Sequence, residues 1–314
     1  MAKNSRLLQD LLAEMVLPEV VHHHNAPKMP PDEHTGSIMP CLPFVPRSHR
    51  FLETIHPIAH DEFKQALNNY LASLPELAIS GREARRFMLP EPGLMAWPHH
   101  MKMDDHFRKF SDDVLGCVYS IMNYVDRGVD LHDFGAEKGG AMHCGWTNNN
   151  WGLCNPVLHR LTDVKVVTVT MPAWCFAPKD MADFVNMKTF MNPATLMHDS
   201  PTVPTAVKLW ARLHDFCYLH DAHYFIVSTY EQWAFGAFSD QYSTGFVSSP
   251  MNYSASIPTV FEAAMFWMHS AHGHPSGYKV KPVREQPDYV ETPVRYSHQA
   301  VPHPRAAYYL TCCS

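Results

Sequence analysis

Apolar and polar positions are patterned most clearly between Pro204 and Ala271. Pro204, with Thr202 two residues before it and Thr205 after it, suits the first turn of a helix. Ala206, Leu209, Trp210, Leu213, Phe216, Cys217 and His220 then fall on about a third of its circumference, with Lys208, Arg212 and Asp215 opposite. The aromatic and β-branched runs Tyr224–Thr229 and Trp233–Ser239 flank the polar turn at 230–232 and predict a hairpin. Gly236 sits mid-strand, where a missing side chain is expected to let a helix pack close. A third strand is predicted over Thr244–Ser248, and Thr259 with Glu262 has capping-box spacing at the start of a nearly all-apolar helix.

Upstream the periodicity is sparser. Leu7, Leu8, Leu11, Leu12 and Met15 share a face of a short helix over 5–17, stopped by Pro18 and expected to dock on the body or on a partner. Residues 21–50 lose all periodicity: His22, His23 and His24 lead into a Pro-rich run that reads as a linker or wrapping arm. Phe63, Ala66, Leu67, Tyr70 and Leu74 predict a helix over 60–74, with Asp61 and Glu62 near its start. Arg82, Arg85 and Arg86, interleaved with Glu83, read as a solvated face. Phe107 to Tyr124 carry the stripe of a long helix over 104–125, ended by Arg127 and Gly128. The Gly- and Asn-rich residues 135–151 read as turns around short strands. Val164–Met171 is β-branched and almost wholly apolar, as a buried central strand is, and Pro178 opens a short helix running to Phe190. The segment 191–203 reads as a linker.

These elements predict an α+β fold, with a small mixed or antiparallel central sheet flanked by helices. Three parts are expected: an N-terminal helix and Pro-rich arm over 1–49, one globular domain over 50–275 containing the 204–271 unit, and an extended Pro-rich tail over 276–314.

Composition narrows the function classes. With 46% hydrophobic and 18% charged residues the chain has globular rather than disordered composition. A net charge of -6 argues against a generally basic nucleic-acid binder. Asp10 and Glu14 interrupt the first apolar run, so no secretory signal is expected, and no run reaches the roughly 18 apolar residues of a membrane span. The eight cysteines form no CxxC pair, which suits reduced thiols and a cytoplasmic or nuclear setting. Cys312 and Cys313 miss the C-a-a-X position, so lipidation is not expected.

The candidate chemistry lies at the ends of the 204–271 unit. The chain has 22 His, and His220 with His223, and His269 with His272 and His274, are spaced so that two imidazoles could share one side of a helix. They are the metal candidates, yet no HExxH or CxxC…H pattern accompanies them, and His220 lies on the apolar arc. Cys217 reads as a core residue rather than a nucleophile, and the helix cap accounts for Glu262. Tyr230 and Trp233, beside the hairpin turn, are the candidate ligand or partner surface, set against packing on a neighbouring helix.

Tyr224, Phe225, Thr229, Tyr230, Trp233, Phe235, Gly236, Phe238 and Ser239, followed by Pro258, Thr259, Val260, Glu262 and Ala263, match a pattern of the form YFVLTTY…W.FG.FS…PTVLEA. In these residues the last third of the chain resembles an orphan family of mushroom-forming (basidiomycete) fungi, a likeness that implies no activity. The element order also resembles the restriction-endonuclease-like core. That resemblance implies acids and an acid-x-Lys on adjacent strands holding Mg²⁺. Thr168-Val169-Thr170-Met171 stands at that place, and Asp163-Val164-Lys165 precedes the apolar strand instead of ending it.

The expectation is therefore a non-enzymatic intracellular binding or interaction domain with a protein partner, no nucleic acid and no cofactor. Its alternatives are a diverged metal-dependent nuclease using Mg²⁺ and a zinc-binding protein. An apolar or aromatic surface patch marks the first, and converging acids with a lysine mark the second. Any chemistry is expected where strand 164–171 meets the 204–271 unit.

Overall fold

A computed structural model of the 314-residue chain describes residues 6–19, 34–36, 52–87, 103–127, 140–147, 150–154, 164–171, 173, 175–190 and 204–285. The triple histidine at 22–24, most of the Pro-rich arm, Asp163, the 191–203 linker, the tail beyond 285 and the terminal cysteines lie outside them.

In chain order the elements are β1 (Arg6–Leu7), α1 (Leu8–Glu14), β2 (Thr54–Ile58), α2 (His60–Ser73), β3 (Ala78–Ile79), α3 (Gly81–Arg86) and α4 (Met103–Arg127). They continue with β4 (Gly140–Thr147), β5 (Asn150–Cys154), β6 (Val164–Thr170), α5 (Pro178–Asn186) and α6 (Thr205–His220). Last come β7 (Tyr224–Ser228), β8 (Gln232–Phe238), β9 (Thr244–Ser248), β10 (Met251–Asn252) and α7 (Val260–Ala271).

The fold is α+β with a mixed sheet, as the sequence predicts, but the sheet is not small. Eight strands form it, in the order β2-β9-β8-β7-β6-β4-β5, with β10 also on β8. The strands β4, β6 and β7 run parallel, β5 and β8 are antiparallel to their neighbours, and β2 runs parallel to β9. β6 therefore has a partner on each side, the place its apolar run implies. β9 pairs with the C-terminal half of β8, and β10 takes over along the same edge at Gln232 and Trp233. The Ser248 hydroxyl bridges the step by accepting from the Phe235 N–H at 3.1 Å.

Ring contacts assign the two faces. Phe63 of α2 and Trp267 of α7 pack on Phe235, whose centroid is 5.8 Å and 6.2 Å away respectively. Trp210 of α6 packs on the other side, 5.5 Å from Phe225 and 6.0 Å from Phe238, and stacks on Phe184 of α5 at 4.6 Å. The result is three layers, with α2 and α7 on one side of the sheet and α5 and α6 on the other.

One expectation needs correction here. The missing side chain of Gly236 admits no helix: a Cβ there would lie 2.2 Å from Phe225 Cζ, so the space belongs to the ring of the adjacent strand. Lys208, Arg212 and Asp215, opposite the apolar arc of α6, are buried as well. The α7 cap is as predicted. The Glu262 N–H donates to Thr259 Oγ1 at 3.1 Å, and the Thr259 N–H donates to Glu262 Oε2 at 2.8 Å. Thr259→Ala is expected to lower stability by about 1 kcal/mol, read as a lower urea midpoint with an unchanged slope.

The N-terminal segment is part of the body. Leu8, Leu11 and Leu12 are buried, β1 pairs with β3, and the Leu8 N–H donates to Leu77 O. Among the described residues no helix is long and apolar enough to cross a membrane.

Candidate functional site

The candidate site residues Tyr230, Trp233, His220, His223, His269, His272 and His274 all lie among the described residues. Tyr230 and Trp233 do not form a surface, because both side chains are fully buried. The Tyr230 hydroxyl donates to Pro18 O at 2.8 Å, and Trp233 Nε1 donates to Tyr230 O at 2.7 Å. The phenol is pushed above its ordinary pKa by burial first and then by Tyr253, so it stays a donor. These aromatics hold the chain's own N-terminal segment and hairpin turn, in keeping with the packing alternative.

The histidines do not pair along helix faces as their spacing suggests. α6 ends at His220, and Asp221, with a left-handed backbone at φ 54°, turns the chain before His223. His223 stacks on Tyr242 at 4.6 Å, with its Nδ1 3.2 Å from Ser239 O. At the other end α7 stops at Ala271, and His272 is its C-cap. His269 is buried, with Nδ1 hydrogen-bonded to the Tyr70 hydroxyl, Nε2 3.7 Å from Asp126 Oδ1, and His274 stacked on its ring at 5.1 Å. Among the described residues no group of three or more His, Cys, Asp or Glu is placed to hold a metal ion.

The Tyr70–His269–Asp126 chain joins α2, α7 and α4. The Tyr70 phenol is raised above its usual pKa, by burial and then by the Asp126 charge, so it stays neutral. With the Asp126 carboxylate facing Nε2, the tautomer protonated there leaves Nδ1 to accept from the Tyr70 hydroxyl. Tyr70 and His269 are each at most 1% exposed, so they form a tie inside the core rather than a reaction site.

The strand expected to meet chemistry, β6, joins β7 in register from Val166–Tyr224 to Thr170–Ser228. Thr168 and Thr170 are buried at this junction. Among the described residues an open cleft lies elsewhere, between the start of α2 and β10. A cleft of about 220 Å³ is bounded by His60, Phe63 and Lys64 of α2, by residues 248–252, and by Ala255, Ile257 and Pro258. Its apolar lining comes from Phe63, Pro250, Met251, Ala255, Ile257 and Pro258, and its polar lining from His60, Lys64, Ser248, Ser249 and Asn252. Ile257 is 83% exposed, against 44% for Leu7 and 40% for Val16, the other exposed large apolar residues described.

Sequence periodicity could not find this cleft, because Ile257 is an isolated apolar residue between Ser256 and Pro258 and carries no stripe. Comparison with known proteins finds no match for the chain among family models, curated proteins or solved structures.

Proposed function

We propose that this protein is a non-catalytic binding domain that grips a partner polypeptide through the cleft beside Ile257. The carrying observation is the exposure of Ile257, 83%, at the mouth of an apolar-lined cleft. A large side chain left in water forgoes roughly 1.5–3 kcal/mol of burial, and contiguous apolar surface with a polar rim is the form of a protein contact site. The other candidate groups have internal tasks: Glu262 caps α7, Cys217 is buried, and His269 ties three helices.

The experiment is selection of displayed peptides on the purified chain, with every recovered peptide tested again on Ile257→Lys. Peptides carrying an apolar anchor are expected, with binding to the variant weakened about tenfold to a hundredfold. Peptides that bind Ile257→Lys as tightly as the native chain would overturn the assignment of the cleft.

A further inference from the structure

The turn joining β8 to β9 holds a carboxylate as a receptor holds a ligand. Glu285 Oε1 accepts from the hydroxyls of Ser239 and Ser243, the latter at 2.7 Å, and from the Ser243 N–H at 3.4 Å. Glu285 Oε2 accepts from the Gln241 N–H at 2.9 Å. All four donors belong to the turn and none to the segment that delivers the acid.

The turn is shaped without Glu285. The Ser239 N–H donates to Thr244 O, the Tyr242 N–H donates to Ser239 O, and the Thr244 N–H donates to Ser239 Oγ at 3.0 Å. Tyr242, at φ 62°, buries its ring against His223 and Phe238. Donors fixed in advance of the ligand are the mark of a built anion site. Burial works to raise the Glu285 carboxyl, and the hydrogen bonds from Ser239, Ser243 and Gln241 outweigh it, holding it below the usual carboxylate range. The charged form is thus the one bound at neutral pH.

The segment that supplies Glu285 lies on the body like an extended peptide. Tyr278 packs on Trp267 at 5.1 Å, and its carbonyl accepts from the Tyr224 hydroxyl at 2.8 Å. Between Tyr278 and Glu285, the side chains of Lys279, Lys281, Pro282 and Arg284 are exposed, while Val280 and Val283 are only partly buried against the core. Lys281 pairs with Glu62 at 2.8 Å across exposed surface, a weak tie. Aromatic and acidic anchors at the two ends, with an exposed middle, allow this strap to lift while the sheet stays intact.

We infer that the β8–β9 turn is a carboxylate-binding site for an extended peptide that presents one acidic side chain, occupied in cis by Glu285 and open to an acidic side chain of another polypeptide when the strap lifts. It lies apart from the cleft of the proposed function and does not depend on it. The intramolecular occupant acts at the high effective concentration of a tethered ligand, so a free competitor is seen only after Glu285 is disarmed.

The test uses the full chain with Glu285→Gln, and with Tyr278→Ala/Glu285→Gln to free the whole strap path. Amide resonances of Gln241 and Ser243 are followed by NMR. In Glu285→Gln both are expected to leave their native positions, and acetate in the tens of millimolar is expected to return them, with no response in the native chain. The double variant is expected to take up a synthetic peptide of residues 277–285 and to ignore the same peptide carrying Gln in place of its Glu. Unmoved amides in Glu285→Gln, or no return with acetate, overturn the site. Return with acetate but equal binding of the Glu and Gln peptides overturns its reading as a peptide site. If Tyr278→Ala prevents folding, the peptide pair is titrated into Glu285→Gln alone, and the same comparison decides.

Discussion

Replacing Gly236 with alanine is expected to destabilise the fold by roughly 3 kcal/mol or more, although it adds one methyl group. The new Cβ would sit 2.2 Å from Cζ and 2.3 Å from Cε2 of Phe225, and 2.6 Å from the Phe246 carbonyl oxygen. The ring has no free space to enter, since Trp210 and Phe238 close on it at 5.5 Å and 5.2 Å. The Phe246 oxygen belongs to β9, paired with Ala237 of the same strand as the substitution, so it moves only if the ladder moves. Gly116→Ala is the control. Nothing lies within 4 Å of a Cβ built there, and in the interior of α4 alanine is favoured over glycine by about 1 kcal/mol. Denaturant midpoints should therefore move in opposite directions for the same chemical change. A Gly236→Ala chain as stable as the native one would mean that Phe225 does not occupy that space. Phe225→Leu/Gly236→Ala should recover only part of the loss, because it relieves the ring and leaves the carbonyl.

Local pattern identifies the elements that bury one or both faces through regular repeats. β6, β7, β9 and α7 lie within a residue or two of their predicted bounds because β-branched and aromatic runs, or a capping box, mark them. β2 escapes the pattern because Thr54–Ile58 carries Pro57 and exposes His56 and Pro57 together. Both are tolerated because β2 is the last strand of the sheet, paired with β9 on one side and, on the other, meeting only an isolated bridge from Thr54 to Thr189. The eight residues of β4 include two glycines and lie in a stretch that reads as turns around short strands, yet β4 is a long strand paired with β6 on one side and β5 on the other. Parallel partners are far apart in sequence and leave no hairpin signature, which is why the sheet looked small.

The same limit applies to the candidate sites. Alternation along the hairpin cannot tell a covered face from an open one, so Tyr230 and Trp233 suggest a surface until α7 and the N-terminal segment are in place. The burial of Lys208, Arg212 and Asp215 is not legible either, because what covers the far side of α6 is not written in α6. The cap explanation for Glu262 and the core reading of Cys217 hold because they rest on local spacing and the apolar stripe. His269 and Tyr70 are 199 residues apart, and no spacing rule joins them.

Tyr70→Phe is expected to lower stability by about 1–3 kcal/mol, the cost of leaving a buried acceptor without its donor. Phenylalanine fills the same volume, so the change opens no cavity and isolates the hydroxyl. The apolar contacts of Tyr70 with Phe266, at 5.4 Å, survive in the variant. These contacts could be satisfied in more than one helical register, since apolar faces of α2 and α7 are rich in interchangeable aromatic neighbours. The Tyr70 hydroxyl on His269 Nδ1 can be made in one register only, and Asp126 beside Nε2 extends the constraint to α4. A second substitution separates the bond from the burial of its partners. If the tie is a hydrogen bond, Tyr70→Phe/His269→Phe will lose less than the sum of the two single changes, with a coupling of at least about 1 kcal/mol. Additive losses would show that the two side chains act only as packing volume. Asp126→Asn, which removes the charge near Nε2 and keeps the shape, should then leave the Tyr70–His269 coupling in place, because the coupling resides in Nδ1.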